Sequence, residues 1–246
     1  MALREEFESN GTWLFRWRSF LPLILLALFV VALRGYRYPG GSERLHHIWI
    51  GVCLLVGLFG LGIRAYAGGY APRGTSGRNT RRQIADTLNT TGPYSLVRNP
   101  LYLGNFFMGL GPALFPGMWW LTLIYVLVFW LYYERIIFAE EAFLREKFGQ
   151  SFLDWAARTP AFVPRWRHYA PSVLPFSWRT VLRREYNGLL GLIAVLFVLN
   201  LIGDAFYLGK VRVDPAWIWL LAGTALLWLV LRSLRKYTHL LDVEGR

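Results

Sequence analysis

Cysteine is nearly missing: 246 residues contain one, Cys53, and it lies in the middle of an apolar run. A lone cysteine forms no intrachain disulfide, so it says little about redox compartment and is expected to be a small packing residue. Histidine is scarce as well. His46, His47, His168 and His239 have no ligand-like spacing to acids or further cysteines, and no metal site is expected. Charged residues are only 17% of the chain, against roughly 25% in soluble domains. No RNP, zinc-finger or basic-zipper pattern occurs, so nucleic acid is not an expected partner despite a formal net charge of +12. Internal repeats and low-complexity stretches are absent too.

Apolar and aromatic residues fill the gap. Hydrophobic residues make up 55% of the chain, and 12 Trp, 13 Tyr and 17 Phe sit largely at the edges of apolar runs. Amphipathic rings settle at a membrane–water boundary, so lipid is the expected solvent. The runs cover residues 20–33, 48–67, 101–117, 119–138, 189–208 and 216–231. The first is short but extends back through Trp13, Leu14 and Phe15, with Arg16 and Arg18 snorkelling. No small-x-small cleavage site follows it, so an uncleaved span is expected. The third is broken by Gly104, Gly109, Gly111, Pro112 and Pro116. Irregular backbone at membrane depth survives only where protein or a wet cavity satisfies it, so this run and the next predict a helical hairpin around a site.

These features predict an all-α, multi-pass transmembrane bundle of about six spanning or half-spanning helices. Residues 140–158, with Phe143, Leu144, Phe148, Phe152 and Trp155 at helical spacing, predict an amphipathic cytosolic helix. A cytosolic N-terminus puts 22 of the 27 Lys and Arg inside. Both termini are therefore expected in the cytosol. Three regions follow: a two-helix part with a basic loop (1–88), a central part carrying the chemistry (89–170) and a C-terminal hairpin (171–246).

Two clusters hold the unusual residues. In the first, Gly92-Pro93 reads as a turn and Asn99-Pro100 as a helix start, with Asn99 as N-cap and Arg98 just outside. Such an N-terminus suits a carboxylate or phosphate, although a plain capped helix start accounts for the pattern equally well. The second cluster, Glu134, Arg135, Glu140 and Glu141, closes an apolar helix. Charges there are costly unless paired, wetted or used. A helix that has simply reached the interface is the bland alternative.

At these clusters the sequence resembles the integral-membrane methyltransferases related to isoprenylcysteine carboxyl methyltransferase and phospholipid N-methyltransferase. Gly92-Pro93-Tyr94 precedes Arg98-Asn99-Pro100-Leu101-Tyr102-Leu103-Gly104. Arg135-Ile136 and Glu140-Glu141 follow, with one residue more in the spacer than the family pattern has. Phe148-Gly149-Gln150-Ser151-Phe152, Pro160 and Pro164 close the segment. Two residues depart from the pattern. Asn99 replaces a histidine and cannot titrate, and Phe152 replaces a tyrosine.

The resemblance implies S-adenosylmethionine as cofactor, bound from the cytosolic side. The cofactor-binding positions it implies are Gly92, Pro93, Tyr94, Arg98, Asn99, Pro100, Tyr102, Gly104 and Glu140. Arg98 would meet the methionine carboxylate, Glu140 or Glu141 the ribose or amino group, and Tyr94 and Tyr102 the adenine or sulfonium. Arg98, Arg135, Glu140 and Glu141 are the expected catalytic positions, with Arg135 holding an anionic acceptor. A lipid-like acceptor entering from the bilayer is expected, with an anionic lipid head weakly preferred over an amine or a prenylated peptide carboxylate. A sterol-reductase-like enzyme using NADPH and a non-enzymatic lipid-binding or transport protein are the competing readings. Oligomeric state is not legible in the sequence.

Overall fold

A computed structural model describes residues 6–7, 10–14, 21–72, 74 and 85–246. Its helices begin and end where side chains dictate. Ser42 accepts the Leu45 N–H at the start of α2 (Glu43–Tyr70), and Ser177 accepts the Thr180 N–H at the start of α6 (Trp178–Leu208). Asp214 accepts the Ala216 N–H at the start of α7 (Pro215–Tyr237), where a proline occupies the first turn. A short α1 (Leu21–Ala32) precedes them, and α3 (Pro100–Leu114), α4 (Trp119–Phe148) and α5 (Gln150–Arg158) lie between. Among the described residues there is no strand.

Four helices, α2, α4, α6 and α7, are long and apolar enough to cross a membrane. The 12 residues of α1 and 15 of α3 are too few, since at 1.5 Å per residue a 15-residue helix covers only about 22 Å of a ~30 Å hydrocarbon core. They fill the place of the expected half-spans. Phe15, Arg16 and Arg18 of the first run's extension, and most of the basic loop before residue 85, lie outside the described residues. Exposed Leu55, Phe59, Leu226 and Trp219 face outward along the spans, as lipid-contacting positions do.

The amphipathic helix expected over 140–158 is shorter than its pattern. Ala139 to Phe148 continue α4 without a break, since Ala, Glu, Leu and Lys are good helix formers. Gly149, at φ +53°, ends it in a backbone conformation that suits glycine. Only α5 is a separate helix, and it buries Phe152 and Trp155 against Tyr94.

Between α2 and α3 the contact is glycine-lined. A Cβ at Gly60 would fall 2.5 Å from the Gly104 carbonyl oxygen, and one at Gly104 would fall 2.8 Å from that of Gly60. Lipid supplies little hydrophobic drive between helices, so close backbone packing of this kind holds them together. One apolar cluster joins Cys53, Phe115 and Leu196 from α2, the end of α3 and α6. A second joins Phe29, Phe129 and Ile136 from α1 and α4. Together they fix the ends of α3 and α4 beside α2 and α6.

Candidate active site

Pro100 opens α3, and Asn99 sits in the N-cap position as its sequence suggested. The Asn99 side chain makes no cap; its Nδ2 donates to the Ala161 carbonyl at 3.2 Å. Just outside, Arg98 reaches into α4 and α5. Its Nε and Nη2 donate to the two carboxylate oxygens of Glu141 at 2.8 and 3.2 Å. Its Nη1 donates to the carbonyls of Ala156 and Thr159, at 2.9 and 2.8 Å. Four of the five guanidinium N–H groups are thereby satisfied within the protein. This bidentate clamp closes residues 98, 141 and 156–159 into one joint.

In the first turn of α3, Tyr102 Oη donates at 2.8 Å to Oε1 of Glu140, the residue before Glu141. The Tyr102 ring lies 4.7 Å from the Tyr133 ring, and Asn105 Nδ2 donates to Tyr133 Oη at 3.3 Å. Arg64 of α2 donates to Asn105 Oδ1 and makes a second fork onto Glu185 of α6, at 2.8 and 3.0 Å. A polar seam thus runs from Glu140 to Glu185 through four helices. Buried charges at membrane depth are costly unless matched in this way.

The sequence-predicted residues divide into four groups. Arg98, Tyr102, Glu140 and Glu141 come together, with Asn99 alongside. Gly92, Pro93 and Tyr94 form a buried joint beneath them: Gly92, at φ +58°, donates its N–H to the Ala170 carbonyl at 2.8 Å. Trp155 Nε1 donates to the Tyr94 carbonyl at 3.1 Å. Pro100 is buried at its helix start, and Gly104 faces Gly60 and Arg64 in the helix contact. Arg135 stands on another face of α4. Its guanidinium carbon lies 5.1 Å from the Phe7 ring centroid, and Nη1 donates to its own helix at Leu131. Exposed Glu134 is not part of either fork.

Arg64, Asn105, Tyr133 and Glu185 escaped the sequence reading. A charged residue near the end of an apolar run, such as Arg64, was the available signal, but snorkelling explains such residues as well. Asn89 was also missed. Among the described residues its Nδ2 is the side-chain polar atom buried without a hydrogen-bond partner. It lies three residues before Gly92, just ahead of the stretch where the resemblance places the cofactor, and an orphaned amide donor fits a ligand with acceptor groups.

Chemically the arrangement offers a half-buried carboxylate, Glu140, beside two tyrosine rings. Carboxylates and aromatic faces both suit a cation. Fold and site together define a helical integral membrane protein with motifs of the methyltransferase type. Residues 48–151 match the family model described as phospholipid methyltransferase, and the resemblance drawn from the motifs is borne out. A nickel-cobalt-cadmium resistance protein of Alcaligenes xylosoxydans xylosoxydans is 33% identical over 150 residues, 61% of this chain and 63% of that protein. A cobalt-zinc-cadmium resistance protein of Cupriavidus metallidurans is 32% identical over 150 residues, 61% of this chain and 62% of its own. Protein-S-isoprenylcysteine O-methyltransferase of Schizosaccharomyces pombe is 34% identical over 85 residues, 35% of this chain and 36% of that enzyme. The matches span less than two thirds of each of these relatives. No solved structure matches.

Proposed function

We propose that the protein is an S-adenosylmethionine-dependent methyltransferase that modifies the polar head of a lipid-like acceptor, from the cytosolic side of its membrane. The observation that carries this reading is the joining of the 92–105 and 133–141 motifs at one place. Arg98 clamps Glu141, and Tyr102 orients Glu140.

The cofactor supplies an electrophilic methyl group on a sulfonium. Glu140 and the Tyr102–Tyr133 pair suit its positive charge, and Asn89 Nδ2 suits an acceptor group. Arg98 is assigned a positioning role, because most of its donors are spent on Glu141 and two carbonyls. It holds α4 and the segment after α5 against the start of α3. Methyl transfer is a displacement at carbon, so the protein's share is orientation and exclusion of water from two partners held close.

An anionic acceptor needs no general base. Arg64 is the guanidinium linked to Tyr133 through Asn105, and it is assigned to the acceptor head in place of Arg135, which turns toward Phe7. The two relatives named for metal resistance favour the anionic choice. Methylating a lipid phosphate or carboxylate removes head-group charge and so lowers the attraction of a membrane surface for divalent cations.

Binding of labelled S-adenosylmethionine and of NADPH to the purified protein in nanodiscs tests the reading. S-Adenosylmethionine is expected to bind, and Glu140→Gln to weaken it. Binding of NADPH alone would replace the proposal with a reductase, and binding of neither with a lipid carrier.

A further inference from the structure

Between Asp154 and Glu185 the chain contains no acid and six arginines. The middle of this stretch, residues 159–177, is a strap laid across one end of the bundle. The strap is held at defined points. Arg98 donates its N–H to the Pro160 carbonyl at 2.8 Å, Arg165 to Leu96 at 3.0 Å, and Ser177 to Gly69 at 3.0 Å. The last of these sets it level with the end of α2 and the start of α6, two of the helices long and apolar enough to cross a membrane.

Its outward side chains are of the wrong kind for water. Val163, Trp166, Val173 and Trp178 are 76%, 76%, 83% and 69% exposed. Exposed Arg165, Arg167 and Arg179 stand between and beside them. A row of bare apolar side chains marks a surface that something covers. Aromatic rings interleaved with arginines at the level of span ends match the boundary between acyl chains and anionic head groups.

We infer that residues 163–179 form a lipid-docking strap, with its aromatic and branched side chains sunk into the head-group layer and its arginines on anionic lipid phosphates. The backbone bonds to Leu96 and Arg98 then hold the candidate site flush with that leaflet. This goes beyond the proposed reaction and stands or falls without it.

The test labels Trp166→Cys and Val173→Cys with an environment-sensitive fluorophore in nanodiscs of phosphatidylcholine, with or without phosphatidylglycerol. Wild type is the labelling control, since its Cys53 is fully buried. The expected result is blue-shifted emission, quenched by a nitroxide near the lipid head group and shielded from aqueous iodide. The shift should grow with phosphatidylglycerol. Replacing Arg165, Arg167 and Arg179 with serine should weaken that dependence by about fivefold per arginine. Emission quenched by iodide and blind to the lipid nitroxide would overturn the proposal in favour of a protein partner or bare solvent. Equal immersion in neutral and anionic discs would overturn the assignment to anionic lipid.

Discussion

At Arg98 a single side chain takes on two elements at once. Removing it leaves the half-buried Glu141 carboxylate and two carbonyls without donors, so Arg98→Ala should cost about 3 kcal/mol in stability, read by unfolding in detergent. Arg98→Lys keeps the charge but not the fork, and should recover only part of that loss. Tyr102→Phe is a milder change that removes the hydroxyl on Glu140. If that hydrogen bond orients a cofactor-binding carboxylate, affinity for S-adenosylmethionine should fall about tenfold or more with melting temperature little changed. Unchanged affinity in isothermal titration would detach Tyr102 from the site. The residues of these bonds were legible in the sequence because their spacing along two segments follows a family pattern. Their division of labour was not. Nothing local says that Arg98 spends its donors on Ala156 and Thr159, or that Arg135 turns to Phe7, since both depend on where distant segments pack.

Elements meet in two contrasting ways here. The α2–α3 contact relies on missing side chains, and Gly104→Val would drive a methyl group into the Gly60 carbonyl and the Arg64 stem. A loss of about 1–3 kcal/mol or more is expected, again by unfolding in detergent. The α2–α6 contact relies on charge. Arg64→Ala should cost about 3–5 kcal/mol because Glu185 is left buried alone, while Met at both positions should be close to neutral for the fold. The Met pair thus separates folding from function, and a drop in turnover without a drop in stability would place Arg64 in the reaction.

Helix existence could be read from the apolar runs, but this pairing could not. Arg64 and Glu185 are 121 residues apart, and each alone looks like a charge at a span end. The end of α4 was misjudged for a related reason. Helical periodicity continues through Gly149, and only the backbone angle there makes the break.

For the whole molecule, charge placement matters at both ends. At the end remote from the candidate site, Asp214 caps α7 and accepts a bond from His47 of α2 at 3.1 Å. The Ala216 N–H and His47 hold the Asp214 carboxyl below its usual range. A depressed folded pKa means that this contribution is whole at neutral pH. It begins to fail near the ordinary aspartate value of about 4 and is gone below the folded value. Asp214→Asn should therefore flatten the acid limb of a stability-against-pH curve; an unchanged limb would assign the acid sensitivity elsewhere. The excess of Lys and Arg in alternate loops predicts that both termini lie in the cytosol. Cysteines introduced near Glu6 and Glu244 should both resist an impermeant reagent in intact cells and react after lysis; labelling of either in intact cells would reverse the orientation.

The central claim is that a methyl group passes from a sulfonium donor, held beside Glu140, to a lipid head reached from the bilayer. Its most direct test incubates the purified protein in native lipid extract with methyl-labelled S-adenosylmethionine, then separates organic-soluble products and identifies the labelled species by mass. The account predicts label in an anionic lipid class with wild type and its loss with Glu140→Gln. Label absent from every lipid, or retained in full by Glu140→Gln, would contradict it.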